Sequence, residues 1–86
     1  MPEVSCFLGI TIFMYFKEHN PPHFHAVYNG LEGSFLINPL NYSKGKLPSR
    51  IVGLVIEWAE LHKEELLDNW SILKETGKCK KIKPLV

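Results

Sequence analysis

The segment HFHAVYNGLEGSFLI, residues 23–37, decides the fold of this chain. Two short runs rich in aromatic and aliphatic residues flank the dipeptide Asn29–Gly30. Asn and Gly both tolerate a positive φ, and this dipeptide between such runs is the strongest short signal for a two-residue β-hairpin. The sequence therefore predicts two antiparallel strands, HFHAVY and LEGSFLI, joined by a tight turn.

A further strand is predicted before this hairpin, in GITIFMYFK, residues 9–17. Its alternation puts one set of side chains on each face: Ile10, Ile12, Met14 and Phe16 on the first, and Thr11, Phe13, Tyr15 and Lys17 on the second. Both sets are largely apolar, so we expect this strand in the interior of the sheet. The ladder must end at Pro21 and Pro22, because proline has a fixed φ and no amide hydrogen.

The region after the hairpin predicts helix over residues 48–76, with Pro48 in the first turn and Gly77 as the stop. The apolar positions form two stripes: Ile51, Leu54, Val55, Trp58, Leu61 and His62 first, then Leu66, Leu67, Trp70 and Leu73. The second stripe is rotated from the first, so either the helix bends near His62 and Lys63 or two helices meet there. Candidate edge strands begin at Tyr42 and in the closing KKIKPL.

These elements predict an α+β fold for a single domain over residues 1–86. It comprises a small antiparallel sheet of three or four strands, followed by one long or broken helix packed on one face. The hydrophobic share of 45% argues against a disordered chain. Aromatic residues are also enriched at interfaces, which favours self-association into a homo-oligomer.

The charge and cysteine content restrict partners and compartment. A net charge of +1 gives the whole molecule no general attraction for nucleic acid. The lysines that crowd the C-terminus form either a solvated tail or a basic strip for RNA or an acidic partner. Two cysteines, Cys6 and Cys79, are too few for a disulfide framework. No apolar run is long enough to cross a bilayer, and the first residues lack the basic region of a signal peptide. We expect a reducing cytoplasm and no membrane partner.

The stretch EHNPPHFHA holds three of the four histidines. Residues two apart on a strand point to the same side, so His23 and His25 share a face. Phe24, Ala26 and Tyr28 fall on the opposite face and suit a core under the helix. The simplest alternative is that the imidazoles bond backbone carbonyls and cap the strand end.

The functional hypothesis for this cluster is acid–base chemistry. Imidazole, with an unperturbed pKa of about 6.5, is suited to move protons at neutral pH. Cleavage of RNA by its ribose 2′-hydroxyl needs a base, an acid and a cation for the phosphate. His23 and His25 would supply the first two, while His19 orients or assists. Arg50 at the helix start, or Lys46, would bind phosphate with help from the helix N-terminus.

Three more residues are candidates for the same site. Tyr15 and Tyr28 are candidate substrate-binding residues. His62 lies on the apolar stripe with Trp58, where a core or boundary role is the ordinary expectation. It is nevertheless a candidate catalytic residue if it meets the histidine strand across the sheet.

Two other interpretations of the histidines stay open. A His-x-His pair with His19 would offer three ligands to zinc or another divalent ion, and Glu18 a carboxylate. Because no Cys-x-x-Cys spacing supports a metal, we favour a site without one and expect no cofactor. The other interpretation is a non-catalytic module that docks a partner protein through its histidine and aromatic face.

The stretches MPEVSCFLGITIFMYFKEHNPPHFHA, EWAELHKEELLDNW and KIKPL resemble a family of small bacterial and archaeal proteins, domain-of-unknown-function family four-one-six-zero. The family's motifs fall on His19, His23 and His25 and on Glu57, Trp58 and His62. The resemblance implies the toxin-like member of a type II toxin–antitoxin pair, silenced by an antitoxin-like protein of family two-four-four-two. The sequence hypothesis is therefore a bacterial, cytoplasmic, toxin-like ribonuclease.

Overall fold

The computed structural model describes residues 3–15 and 19–86. This part of the chain forms five strands and then two helices. They are β1 Glu3–Phe7, β2 Ile10–Phe13, β3 His23–Tyr28, β4 Leu31–Ile37, β5 Leu40–Gly45, α1 Ser49–Leu61 and α2 Lys63–Thr76. The strands form one sheet in the order β1-β2-β3-β4-β5, and each pairs antiparallel with its neighbours. The α+β class is confirmed.

The hairpin of β3 and β4 is confirmed. Asn29 and Gly30 have φ values of 53° and 81°, as a two-residue hairpin turn of this type requires. The register pairs His23 with Leu36 at one end and Tyr28 with Leu31 at the other.

The predicted count of three or four strands was too low, because β1 was missed and β5 is a full strand. β1 turns into β2 through Leu8 and Gly9, with φ values of 51° and 79°. Leucine is rarely found at positive φ, so the sequence gives little sign of this turn. Val4 and Ser5 are both buried because the β1–β2 register shifts there, which breaks the alternation that reveals a strand.

The limits of the other strands also differ from prediction. β2 ends at Phe13, well before Lys17, and residues 16–18 lie outside the described part of the chain. β5 begins at Leu40, two residues before Tyr42. The closing KKIKPL is not a strand, although the Ile82 amide donates a hydrogen bond of 2.9 Å to the Val4 carbonyl.

The predicted helical region contains two helices that meet at His62, so the alternative of one continuous helix was wrong. The change of direction falls where the two apolar stripes meet. It lets Trp58 on α1 and Trp70 on α2 both be buried. Gly77 ends α2 as predicted, with a φ of 76° and its amide bonded to the Leu73 carbonyl.

The core lies between one face of the sheet and the helices. Phe24 stacks on Phe35 with ring centroids 5.1 Å apart, and Trp58 meets Phe24 edge-on at 5.9 Å. Of the helices that the structure describes, none combines the length and apolar character needed to cross a lipid bilayer.

The C-terminal segment is held to α2 by Asn69, whose side chain is 2% exposed. Its amide donates to the Lys80 carbonyl at 2.8 Å, and its carbonyl accepts from the Lys80 amide at 3.0 Å. We expect Asn69→Ala to lower the free energy of unfolding by about 2 kcal/mol, since both bonds are lost. Urea unfolding measures this loss. Asn41→Ala, at an exposed position, is the control, and an equal loss in both variants would contradict this role.

The two cysteines are free and differ in burial. Burial raises the pKa of the Cys79 thiol, and Lys81 offsets this only in part. Because the thiolate is the reactive form, we expect Cys79 to react with a disulfide reagent more slowly than exposed Cys6 at pH 8. The difference between the two labelling rates should become smaller in 6 M urea, where both thiols are exposed. Peptide mapping of the first labelled thiol tests this, and initial labelling of Cys79 would contradict it.

Candidate functional site

A cavity of about 350 Å³ opens at the start of β3, on the side of the sheet opposite the core. His19, His23 and His25 line it, together with Ser34 of β4 and Lys44 of β5. The prediction that His23 and His25 share one face is confirmed, since Phe24 and Ala26 are fully buried on the other. We call the side that carries Phe13, His25, Ser34 and Lys44 the histidine face.

Strand register arranges the histidine face as a row across four strands. Phe13 pairs with His25, His25 with Ser34, and Ser34 with Lys44. Neighbouring strands lie about 4.8 Å apart, so the row is about 14 Å long. An aromatic ring, an imidazole, a hydroxyl and an ammonium group thus follow one another in a line.

His23 is held by the bend that precedes its strand. Its Nδ1 donates to the Pro21 carbonyl at 2.8 Å, so Nε2 is the basic nitrogen of the neutral ring. The ring lies 5.3 Å from His25 and 5.2 Å from Trp70, between centroids. His23 therefore bonds a backbone carbonyl, as expected of a histidine that caps the end of its strand, and it also lines the cavity.

His25 is held by the strand beside it. Its Nδ1 lies 3.2 Å from a carboxylate oxygen of Glu32 and 3.2 Å from the Ser34 hydroxyl, and the side chain is 12% exposed. A carboxylate only accepts, so Nδ1–H donates to Glu32 and Nε2 is again the basic nitrogen. This is not a Ser–His–acid triad, in which hydroxyl and carboxylate meet opposite ring nitrogens.

Aromatic rings flank the two histidines. The Tyr15 ring meets His25 edge-on at 4.6 Å and lies nearly parallel to Phe13, with centroids 6.3 Å apart. On the other side, the Trp70 indole donates to the Asn20 side-chain oxygen at 3.2 Å. The helix α2 therefore anchors the bend that carries the histidines.

Arg50 and Tyr28 do not join the site. The Arg50 guanidinium donates to the Tyr28 hydroxyl at 3.5 Å. Tyr28 is an odd number of residues from His25, so it lies on the opposite face of β3. It is also five residues from His23, about 17 Å along the strand. The prediction that Arg50 binds phosphate at this site was therefore wrong, because Arg50 lies with Tyr28, away from the cavity.

The cation in the cavity wall is Lys44 rather than the predicted Lys46. Lys46 is exposed beyond the end of β5 and does not line the cavity. The register shifts between Ser34 and Phe35, so Ser34 faces Lys44 although Phe35 faces Tyr42. Since this bulge has no clear sequence signal, the alternation could not identify Lys44.

His62 also lies apart from the other histidines. Its Nδ1 donates to a Glu65 carboxylate oxygen at 2.6 Å, and its ring lies 5.6 Å from that of Trp58. Trp58 packs against Phe24 on the core face, so the sheet separates His62 from His23 and His25. The predicted meeting across the sheet was wrong because α1 covers the core face.

Within residues 3–15 and 19–86, no group of three His, Cys, Asp or Glu side chains is placed to hold a metal ion. Glu18, the predicted carboxylate ligand, lies outside the described residues. Glu32 was not predicted for the site, although a two-residue turn at Asn29–Gly30 pairs His25 with Ser34 and so puts Glu32, two residues from Ser34, on the same face.

Comparison with known proteins gives one informative match. The model of a family described as "Domain of unknown function (DUF4160)" matches residues 9–71, a range that contains the cavity-lining histidines and Lys44. No curated protein and no solved structure matches the chain.

Proposed function

The chain belongs to the DUF4160 family, whose function is unknown, and from the histidine face we propose that it is a ribonuclease that uses acid–base catalysis. In this proposal His25 and His23 exchange protons with single-stranded RNA, and Lys44 faces the phosphate. Glu32 is a positioning residue that acts through His25.

One observation carries the proposal. Two imidazoles whose centroids are 5.3 Å apart line the same cavity, and each has Nδ1 bonded to an acceptor of its own. Both rings therefore exchange protons at Nε2, and one neutral and one protonated ring form a base and an acid. Such a pair suits a reaction that removes one proton and delivers another.

The reaction needs those two transfers. The neutral imidazole takes the proton of the ribose 2′-hydroxyl while its oxygen forms a bond to phosphorus. The bond from phosphorus to the 5′-oxygen breaks, and the protonated imidazole gives that oxygen its proton. The products are a 2′,3′-cyclic phosphate and a 5′-hydroxyl end. Lys44 stabilises the negative charge that develops on the phosphoryl oxygens.

An assay of the purified protein with end-labelled single-stranded RNA tests this proposal. We expect cleavage in the presence of EDTA, with products that end in 2′,3′-cyclic phosphate. DNA of the same sequence should stay intact, since it lacks the 2′-hydroxyl. Equal cleavage of DNA, products with 5′-phosphate ends, or intact RNA would each contradict the proposal.

For the biological setting we propose a toxin-like role in a type II toxin–antitoxin pair, on the support of the family resemblance. Expression without the antitoxin-like partner should then arrest growth, and His25→Ala should relieve the arrest. If His25→Ala still arrests growth at equal protein level, the arrest does not come from this site. In that case a histidine face that docks a partner protein without catalysis becomes the better hypothesis.

A further inference from the structure

We propose that the histidine face binds single-stranded RNA in one orientation, with a base on Phe13 and Tyr15 and a phosphate at Lys44. The choice of RNA over DNA rests on the proposed function. The orientation rests on the row across the sheet, which has chemically different ends.

The aromatic end is formed by Phe13, the last residue of β2, and by Tyr15 just beyond it. Both are half-buried, and the Tyr15 ring lies on the histidine face because it meets the rings of Phe13 and His25. The Phe13 and Tyr15 rings differ by 8° in orientation, so together they give a nearly parallel pair of aromatic surfaces. Aromatic rings on the open face of a sheet are the usual platform for unpaired bases, because every base can stack regardless of its hydrogen-bonding groups.

The basic end is Lys44 on β5. Its side chain is exposed and lines the cavity, and no carboxylate among the described residues forms an ion pair with it. It lies two strands from His25, which is about 10 Å between strand axes. An ammonium group on a flexible stem can cover that distance to reach a phosphate bound beside the imidazole.

The order of groups along the row matches the order of groups in a nucleotide. A base on Tyr15 leaves the ribose over His25, whose ring touches Tyr15 at 4.6 Å between centroids, and directs the phosphate toward Lys44. The reversed orientation would put a phosphate on the aromatic rings and a base on the ammonium group. This orientation brings the 2′-hydroxyl to His25, which then acts as the base, while His23 acts as the acid.

Single strands are favoured over duplexes for two reasons. A base can lie on Tyr15 only when it is not stacked within a helix. The net charge of +1, and a cavity lining that holds one lysine among the described residues, also provide few phosphate contacts. We therefore expect a shallow dependence of affinity on salt, in contrast to proteins that follow a duplex backbone.

Fluorescence anisotropy with an eight-nucleotide single-stranded DNA tests the orientation, since this probe lacks the 2′-hydroxyl that the proposed cleavage needs. We expect Tyr15→Leu to weaken binding about 10-fold and Tyr15→Phe to bind like the wild type. Lys44→Gln should weaken binding and reduce the slope of log K against log salt by about 0.7, the value for one phosphate contact on a single strand. Lys46→Gln, an exposed lysine outside the cavity, is the matched control.

The outcomes separate this inference from the proposed function. Wild-type affinity in both Tyr15→Leu and Lys44→Gln, or an equal loss in Lys46→Gln, overturns the orientation even if RNA is cleaved. Weaker binding by Tyr15→Leu and Lys44→Gln, with wild-type binding by Lys46→Gln, supports the orientation even if RNA stays intact. If Tyr15→Leu does not fold, the Lys44→Gln variant alone decides the orientation, and wild-type affinity in that variant overturns it. An equal affinity for duplex DNA overturns the single-strand preference.

Discussion

Replacing His25 with alanine is expected to lower the rate of RNA cleavage by at least about 100-fold, the usual contribution of a general acid or base. The expectation follows from the position of the ring. It lines the cavity, its tautomer is fixed by Glu32 at 3.2 Å, and it lies beside His23. The measurement is the initial rate with excess RNA, at a temperature where circular dichroism shows the variant to be folded.

His62→Ala is the matched control for this prediction. It removes the same chemical group from the opposite side of the sheet, where the ring contacts Trp58 and bonds Glu65. We expect its cleavage rate to stay within about twofold of wild type, since the ring has no access to the proposed site. Equal losses in His25→Ala and His62→Ala would contradict the assignment of catalysis to the histidine face.

Replacing Trp58 with alanine is expected to lower the free energy of unfolding by about 3–5 kcal/mol. The side chain is fully buried, with its ring 5.5 Å from Phe7 and 5.9 Å from Phe24 between centroids. Its indole also donates to the Lys83 carbonyl at 2.8 Å. A domain of this size shifts in Tm by roughly 4–8 °C for each kcal/mol, so Tm should fall by about 20 °C.

Thermal unfolding of Trp58→Ala, Trp58→Phe and Leu61→Ala separates the causes of this loss. Leu61 is on the same helix and 69% exposed, so its truncation should change Tm by only a few degrees. Trp58→Phe keeps most of the ring but leaves the Lys83 carbonyl without its donor, and we expect an intermediate loss. A Tm for Trp58→Ala within a few degrees of wild type would contradict the central position of this residue in the core.

The features that could be predicted from the sequence depend on short-range rules. Asn29–Gly30 specifies its turn because both residues must adopt positive φ. The alternation of His23 and His25 with Phe24 and Ala26 is a property of any strand with one buried face. This alternation made it possible to predict that the two histidines share one face.

The features that could not be predicted depend on register and on which face the helices cover. The bulge beside Ser34 selects Lys44 as the cavity cation, and it has no marker in the sequence. Arg50 and His62 lie away from the site because α1 packs on the core face, and the sequence does not specify which face of the sheet α1 covers. The turn at Leu8 conceals β1, because a leucine there gives no sign of a positive φ.

The most direct test of the central claim is an NMR titration of the histidine ring protons with the eight-nucleotide single-stranded DNA. The chain has four histidines, so single His→Gln variants suffice to assign the signals. We predict that the probe shifts the His23 and His25 signals and leaves that of His62 in place. Shifts confined to His62, or none at saturating probe, would contradict the claim that the histidine face receives nucleic acid.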